Sequence, residues 1–213
     1  MTEPADAHER LSKPRRRKEA RPAEIVAAGI SEFQEHGFHR ANLNRIAKKA
    51  GISKGTIYLY FASKEALFLA AIETHVTSVM GESEDALTDV NGTTRDLLTK
   101  LLENMYARFV HGEAQALLRI LLTEGDRMPG VISDYHAMTV QRGSTLLRKI
   151  LMRGVDRGEV RPGPALETPH VIIAPAVYLA VHHIMFRGAQ TLEFEPFFEA
   201  HIDTLFHGVL ATR

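Results

Sequence analysis

The 213-residue sequence contains no cysteine and no long hydrophobic run, and these absences exclude several classes of protein. Without cysteine the chain forms no disulfide, no cysteine-ligated zinc site and no thiol nucleophile. The most apolar run, residues 171–186, is too short to span a membrane and contains Pro175, His182 and His183. The basic amino-terminal segment is not followed by the apolar stretch of a signal peptide. We therefore expect a cytoplasmic protein without a membrane segment.

The sequence also lacks the short motifs that would indicate an enzyme. It contains no HExxH zinc motif, no GxSxG nucleophile turn, no P-loop and no dinucleotide-binding fingerprint. The adjacent pair His182 and His183 does not predict a metal site, because neighbouring residues on a helix point about 100° apart. We expect no catalytic residue, no cofactor and no metal. An enzyme built on the carboxyl-terminal half is the alternative from another class.

Charge is distributed unevenly along the chain, although the 26 basic and 26 acidic residues cancel overall. Residues 1–65 hold 13 Lys and Arg against 8 Asp and Glu, whereas residues 66–213 hold 13 against 18. A basic end on an acidic body is typical of proteins that bind a polyanion such as DNA. A basic face that serves only solvation has the same composition, so charge alone leaves both interpretations open.

Helical periodicity runs through most of the chain and predicts an all-α fold of about nine helices in two domains. Residues 1–20 are polar and contain the dense basic run Lys13–Lys18, which predicts a disordered tail. Residues 21–66 predict a three-helix head that contains a helix-turn-helix. Residues 67–213 predict a second helical domain, and the acidic segment 81–92 is expected to join the two domains.

Residues 42–63 carry the signals of two short helices joined by a tight turn. Asn42 is a good N-cap for a helix over 43–50, and Gly51 adopts the left-handed turn conformation without a Cβ clash. Ser53 caps a second helix that runs to about Tyr60, and Ser63 caps a longer helix. The apolar positions predicted to face inward are Ile46, Ala47, Ala50, Ile52 and Ile57. The outward positions carry donors, a cation and amphipathic rings, which suit phosphates and base edges: Ser53, Lys54, Gly55, Thr56, Tyr58 and Tyr60.

The stretch IAKKAGISKGTIYLYFASKEAL, residues 46–67, resembles the DNA-binding signature of the TetR/AcrR family of bacterial repressors. The preceding AAGISEFQEHGF, residues 27–38, is similar to the first helix of that family. The resemblance implies that ten residues bind operator DNA: Asn42, Asn44, Arg45, Ser53, Lys54, Gly55, Thr56, Tyr58, Tyr60 and Lys64. The sequence departs from the family pattern at Ala41–Asn42, where two threonines are usual, and at Arg45, where an acidic residue is frequent. These departures concern the details of operator contact.

Within this resemblance, residues 53–56 would enter the major groove, and Lys64 would hold a phosphate with the positive end of its helix. Other interpretations stay open for individual residues. Tyr58 and Tyr60 are alternatively buried in part, and Lys48 and Lys49 are better explained as a solvated face. The basic run Arg15–Lys18 either reaches the minor groove or is solvated.

The resemblance implies that the second domain binds an effector and forms a homodimer. The dimer would use two apolar helices over Glu167–Ala189 and Glu195–Ala211, unless both are intramolecular core. A long helix over 131–157, ended by Gly158, precedes them. Candidate pocket residues, each alternatively core or a surface ion pair, are Met105, Tyr106, Phe109, Leu118, Arg119, Leu122, Met138, Arg142, Tyr178, His182 and Met185.

The function implied by the resemblance is a ligand-responsive repressor. As a homodimer, it would bind a palindromic double-stranded DNA operator. An unidentified small-molecule effector would move the fourth helix and release the dimer from the operator. A DNA binder of the nucleoid or corepressor-dependent type, which needs no inducer, is the further alternative. An apolar cavity in the second domain would favour the inducible repressor, and a solid core would favour the other.

Overall fold

Helices make up the regular secondary structure of the computed structural model, which describes residues 7–87, 92–111, 113–186 and 192–208. Within these ranges there is no strand, as the sequence predicts. The chain divides into two compact units, residues 1–71 and 72–213. The described residues form ten α-helices: α1 Ala7–Arg40, α2 Leu43–Lys49, α3 Lys54–Tyr58, α4 Lys64–Leu87, α5 Thr94–His111, α6 Glu113–Glu124, α7 Pro129–Tyr135, α8 Arg142–Asp156, α9 His170–Met185 and α10 Phe194–His207.

The first unit is built on α1, and its core is aromatic. The ring of Phe68 lies 5.1 Å from that of Phe33 and 5.3 Å from that of Phe38, both in edge-on geometry. Ile46 and Ile57, from α2 and α3, are fully buried in this unit. Both are among the five inward positions that the sequence predicts; Ala47 is buried as well, whereas Ala50 and Ile52 are half-buried.

Helix α1 begins earlier than the sequence predicts. It starts at Ala7 instead of near residue 21, so residues 7–20 are helical where a disordered tail is expected, and residues 1–6 lie outside the described residues. The segment is rich in Ala, Glu, Lys and Arg, which have high helix propensity. Near its end α1 is interrupted at Gly37, whose φ of 71° only glycine adopts easily.

Helix α4 is also longer than predicted. It continues to Leu87 through most of the acidic segment 81–92 that the sequence assigns to a linker, while residues 88–91 lie outside the described residues. The predicted domain boundary after residue 66 and the division after Ala71 both fall inside this helix. One continuous helix therefore belongs to both units of the chain.

The second unit has a core formed by α5, α8, α9 and α10. Leu97 and Leu101 of α5 pack with Leu147 and Ile150 of α8 and with Ile172 of α9. A second cluster joins α5, α9 and α10 and contains Leu102, Tyr106, Ala176 and Leu179, all fully buried. Within the described ranges, no helix is both long and apolar enough to cross a membrane.

The helix predicted over residues 131–157 is divided in the structure. A π-helical turn, His136–Gln141, separates α7 from α8. A π-turn inserts extra backbone into a helix and shifts the register of every side chain that follows. The helix ends within one residue of the prediction, at Asp156, and Gly158, with a φ of 70°, follows the C-cap residue Arg157.

Candidate nucleic-acid interface and apolar cavity

Helices α2 and α3 each begin at a side-chain cap. The Asn44 amide donates to Asn42 Oδ1 at 2.8 Å, and the Thr56 amide donates to Ser53 Oγ at 3.1 Å. Between the helices, Gly51 has a φ of 65°, which costs other residues strain. The predicted helix-turn-helix is therefore present, and α3 ends at Tyr58, two residues before the predicted end.

The outer face of α3 is polar and reaches solvent. Ser53, Lys54 and Gly55 are exposed, and Tyr58 is 49% exposed. The Lys54 ammonium lies 5.9 Å from the centre of the Tyr58 ring, so cation and ring occupy one face. Because about half of Tyr58 is exposed, its ring is buried only in part.

Two further residues of the predicted DNA-binding set, one on α3 and one just after it, are less accessible to solvent. Thr56 is half-buried, and its hydroxyl lies 2.8 Å from that of Ser53. Tyr60 is half-buried as well, in line with the alternative that the sequence leaves open for it. The exposed face therefore centres on the first turn of α3 and on Tyr58.

Glu32 of α1 is the centre of a charge cluster beneath α2. Its carboxylate is fully buried, with Oε1 2.6 Å from Arg45 Nε and Oε2 3.4 Å from Lys49 Nζ. The backbone amide of Asn42 donates to the same Oε1 at 3.1 Å. Burial alone would raise the pKa of Glu32, but the hydrogen bonds from Asn42, Arg45 and Lys49 together lower it.

This cluster gives Arg45 and Lys49 structural partners. Arg45 Nη2 also donates to the carbonyl oxygen of Arg40, and Lys49 Nζ lies 2.9 Å from Glu35 Oε2. The hydrogen bond to Lys49 lowers the pKa of Glu35, and its counterpart raises the pKa of Lys49. Sequence reasoning missed Glu32, because a glutamate on an amphipathic helix carries no sign that it will be buried.

Lys64, predicted to hold a phosphate, is engaged inside the protein. Its ammonium donates to three carbonyl oxygens at the end of α1, those of Phe38 at 2.8 Å, His39 at 3.3 Å and Ala41 at 3.3 Å. An ammonium group has three donors, so all of them are used. The structure therefore places Lys64 where it joins α4 to the residues that lead into α2.

The second unit contains a cavity of about 190 Å³ with a mainly apolar wall. Its polar side chains are Arg108 of α5, Tyr135 at the end of α7 and Thr139 of the π-turn. Burial raises the pKa of Tyr135, so this phenol stays protonated. The lining residues are Ile72, Leu101, Met105, Arg108, Phe109, Ala114, Leu117, Leu118, Leu121, Tyr135, Thr139, Val140, Gly143, Leu146, Leu147, Ile173 and Val177.

Of the candidate pocket residues, the structure brings Met105, Phe109 and Leu118 to the cavity wall. The others lie elsewhere: Leu122, Arg142, Tyr178 and Met185 are exposed, Arg119, Met138 and His182 are half-buried outside the wall, and Tyr106 is fully buried.

The candidates Met138 and Arg142 miss the cavity wall by one residue each. Thr139 and Gly143 line it instead, and Leu146 and Leu147 follow them at helical spacing. Met138 and Arg142 are candidates because of their side-chain types, which do not indicate the face of the helix that meets the cavity.

Tyr106 is part of the core, where it joins α5 to α10. Its ring packs edge-on against Phe198 at 5.3 Å, and its hydroxyl lies 2.9 Å from His201 Nδ1. Burial raises the pKa of Tyr106 to about 12. Burial also lowers the pKa of His201, although a hydrogen bond with the backbone of Ile172 opposes this. The pair is therefore neutral at ordinary pH.

Helix α9 carries exposed apolar side chains on one face. Val171, Tyr178 and Met185 are 58%, 55% and 69% exposed, and their spacing of seven residues places them in one row. Phe197 and Phe198 of α10 pack inward, on Tyr178 and Tyr106 respectively. Part of the apolar stripe of α10 is therefore intramolecular core, the alternative that the sequence leaves open.

The two units match different parts of one family of proteins. Residues 25–71 match the bacterial regulatory proteins of the tetR family, and residues 89–205 match the tetracyclin repressor-like carboxyl-terminal domain. An uncharacterized HTH-type transcriptional regulator of Mycobacterium tuberculosis is 32% identical over 140 residues, 66% of this chain and 65% of that protein. The matched region thus spans just under two thirds of that relative.

More distant relatives include the fatty acid metabolism regulator protein of Bacillus subtilis, 23% identical over 68% of this chain and 75% of that protein. Among solved structures, FadR from Bacillus subtilis in complex with stearoyl-CoA superposes with a TM-score of 0.73 at 18% identity, covering 88% of this chain and 99% of that one. The reduced form of NemR from Escherichia coli gives 0.71 at 22% identity, covering 91% and 99%. At these identities the likeness is one of fold.

Proposed function

The chain belongs to the TetR family of bacterial regulatory proteins, and from this premise we propose that it is a ligand-responsive transcriptional repressor. It would bind a palindromic DNA operator as a homodimer in the cytoplasm and leave the operator when an effector binds. The observation that carries the proposal is the exposed, capped helix α3, which presents hydroxyls, a lysine and a tyrosine on a rigid frame.

The proposed operator contacts divide into two kinds. Ser53, Lys54 and Gly55 open α3 and would lie against base edges in the major groove, where Gly55 allows close approach. Tyr58, exposed beside Lys54, would bind the phosphate backbone. Asn44, exposed in the first turn of α2, is placed for a further contact of the same kind.

Arg45 and Lys64 would act by positioning. Both already have partners inside the first unit, Arg45 on Glu32 and Lys64 on the carbonyl oxygens at the end of α1. We therefore propose that they hold the angle of α2 and the start of α4, in place of the direct contacts that the family resemblance implies for them.

The proposed homodimer is supported by the apolar row on α9. Val171, Tyr178 and Met185 expose apolar surface that a monomer in water would not favour. A two-fold axis that runs along α9 would pair this row with the same row of a second copy. The two α9 helices would then be parallel. Two copies of α3 would then lie about one DNA turn apart, roughly 34 Å.

The proposed effector response is supported by the cavity of the second unit. An apolar cavity favours an inducible regulator over a DNA binder that needs no ligand. Ile72, in its wall, belongs to α4, the helix whose first residue is Lys64. A shift of α4 on effector binding would change the separation of the two heads. The effector can shift the equilibrium between the DNA-binding and the released state only by its difference in affinity for the two. If that difference is 100-fold, the shift is about 2.8 kcal/mol.

We propose no enzymatic activity for this chain. Its relatives are transcriptional regulators, and the cavity holds no pair of groups arranged as nucleophile and base among the described residues. Regulation through binding alone accounts for both the exposed face of α3 and the apolar cavity.

Selection from a random DNA library tests the DNA-binding part of the proposal. The full chain is incubated with 40-base-pair random duplexes, and bound sequences are enriched and read. We expect a site with two-fold symmetry whose half-sites are about 10 base pairs apart, or a multiple of this. No enrichment, or enrichment of a single asymmetric site, contradicts the proposal.

A substitution on α9 tests the dimer. Tyr178→Glu places a charge in the middle of the apolar row and should give monomers in sedimentation velocity, with loss of binding to the selected duplex. Met152→Glu, at an exposed apolar position of α8, is the matched control and should leave the dimer intact. A wild-type monomer, or equal effects of both variants, contradicts the proposed interface.

A further inference from the structure

Thr139 differs from other threonines in the helices of this unit. The hydroxyl of Thr123 donates to the carbonyl oxygen of Arg119 at 2.9 Å, and that of Thr145 donates to Gln141 at the same distance. Both are ordinary bonds to the residue four positions earlier. The hydroxyl of Thr139 is buried and has no hydrogen-bond partner within the described part of the chain.

The π-turn accounts for this difference. Thr139 lies in the middle of His136–Gln141, where the wider turn rearranges the carbonyl groups of the preceding turn. Thr139 also lines the wall of the cavity. A buried hydroxyl without a partner is unfavourable in an otherwise apolar wall, so a ligand oxygen at this point would remove an existing cost.

Two further polar groups line the cavity, the Tyr135 phenol and the Arg108 guanidinium. The guanidinium only donates hydrogen bonds, whereas the phenol and the Thr139 hydroxyl can donate or accept. An acceptor atom is therefore the ligand group that all three side chains can bind. The rest of the wall is leucine, isoleucine, valine, methionine and phenylalanine with small residues, which suits a hydrocarbon chain.

We propose that the cavity binds an aliphatic acyl compound, and that the Thr139 hydroxyl donates a hydrogen bond to its acyl oxygen. This inference rests on the proposed function and specifies the effector class. The volume of about 190 Å³ is somewhat larger than a cavity of ~150 Å³ that binds benzene, which limits the enclosed part of the chain to short or medium length. The acyl group is either a free carboxylate or a thioester, and Arg108 would favour the carboxylate.

Binding to the full chain tests the inference with three probes. Octanoate and octanoyl-coenzyme A carry the acyl oxygen as carboxylate and thioester, and heptane is the hydrocarbon alone. Each probe is added to the protein with 1-anilinonaphthalene-8-sulfonate, whose displacement reports binding. We expect at least one acyl probe to bind at least tenfold more tightly than heptane. Equal binding of all three, or binding of none, overturns the inference.

Three threonine variants separate the hydroxyl from the shape of the cavity. Thr139→Val keeps the shape, removes the hydroxyl, and should weaken the acyl probe about tenfold without weakening heptane. Thr139→Ser keeps the hydroxyl and should stay within about threefold of wild type. Thr145→Val, on an exposed threonine outside the cavity wall, should change nothing. An unaltered affinity of Thr139→Val for the acyl probe overturns the assignment.

The Thr139→Val protein also gives a readout without ligand. Because it loses a buried hydroxyl that has no partner, its melting temperature should equal or exceed that of wild type. A lower melting temperature overturns the inference, since the hydroxyl would then have a partner in the empty protein.

Two further measurements show whether the ligand is the free acid or the thioester, and separate this inference from the proposed function. Arg108→Gln should weaken octanoate if the ligand is the free acid, and should leave octanoyl-coenzyme A unaffected if it is the thioester. Binding of wild type to the selected DNA duplex is measured without any probe. If the duplex binds and no acyl probe does, the inference fails while the proposed DNA binding stands.

Discussion

The Lys64 ammonium lies 2.8 Å from the Phe38 carbonyl oxygen and 4.4 Å from the centre of the Phe38 ring. One side chain at the start of α4 thus contacts both the backbone and the ring of a residue at the end of α1. The carbonyl groups at a helix end carry partial negative charge and have no partners within the helix, so a cation there is stabilising. The contact fixes the chain directly before the helix-turn-helix.

Replacement of Lys64 by methionine should destabilise the protein. Three carbonyl oxygens lose the Lys64 ammonium, although that of Phe38 still accepts from the Ala41 amide. We expect the free energy of unfolding to fall by about 1–3 kcal/mol. Urea denaturation followed by circular dichroism measures the change. Lys100→Met, on an exposed lysine of α5, is the control and should be nearly neutral. The Lys64 variant should also bind the selected DNA less tightly with an unchanged salt slope, and a reduced slope would instead indicate a phosphate contact.

Replacement of Lys54 by alanine should weaken binding to the selected duplex, because we propose that Lys54 contacts a base edge. Each phosphate contact by a lysine contributes about 0.9 to the slope of log K against log salt. If Lys54 binds a phosphate, the slope per protomer falls by about 1. If it binds a base edge, affinity for the selected duplex falls while that for random DNA does not. Lys100→Ala should change neither quantity, and identical behaviour of the two variants would remove Lys54 from the interface.

Replacement of Glu32 by glutamine should remove a pH-dependent part of the stability. The pKa of Glu32 is lowered in the folded protein, so its carboxylate stabilises the fold above the ordinary glutamate pKa. This contribution is lost as the pH falls through the folded-state pKa. At pH 7 we expect a loss of about 2 kcal/mol, less than the roughly 3–5 kcal/mol of a fully buried pair, because Arg45 and Lys49 still reach solvent.

The measurement for Glu32 is a set of urea titrations between pH 3 and pH 7. Wild type and the glutamine variant should converge towards the acid end and separate as the pH rises. Glu103→Gln, at an exposed glutamate on α5, provides the comparison. A constant difference between wild type and the Glu32 variant at all pH values would rule out a titrating carboxylate as its source.

Replacement of Tyr106 by phenylalanine should leave His201 Nδ1 buried without its partner. The ring packing against Phe198 is kept, so the loss reflects the hydroxyl alone and should be about 1–2 kcal/mol. Thermal unfolding measures it. Tyr58→Phe, measured without DNA, removes an exposed hydroxyl and should change the melting temperature little. Equal losses in both variants would contradict the pairing of Tyr106 with His201.

Local signals in the sequence predict the helix-turn-helix well. Asn42, Gly51 and Ser53 act on atoms within three or four residues of themselves, through a cap or a backbone conformation. Such effects depend little on tertiary structure, so the residue types suffice to predict them. The inward positions Ile46 and Ile57 follow from the same local geometry.

Partners distant in sequence are what the sequence alone does not reveal. Arg45 meets Glu32 thirteen residues earlier, and Lys64 meets Phe38 twenty-six residues earlier. Neither pairing follows from spacing, and both basic residues therefore look available for DNA. In the second unit, Thr139 lines the cavity wall, and its neighbour Met138, the candidate chosen by side-chain type, does not.

Helix α3 has only five residues, far fewer than an isolated helix needs to persist in water. Its Ser53 cap and its anchor Ile57 hold it folded before any DNA arrives. In the proposed complex, where α3 lies in a DNA groove, little conformational entropy would then be lost. The preformed helix therefore does not change its shape to fit a wrong base pair. Discrimination between sequences is then already a property of the free protein.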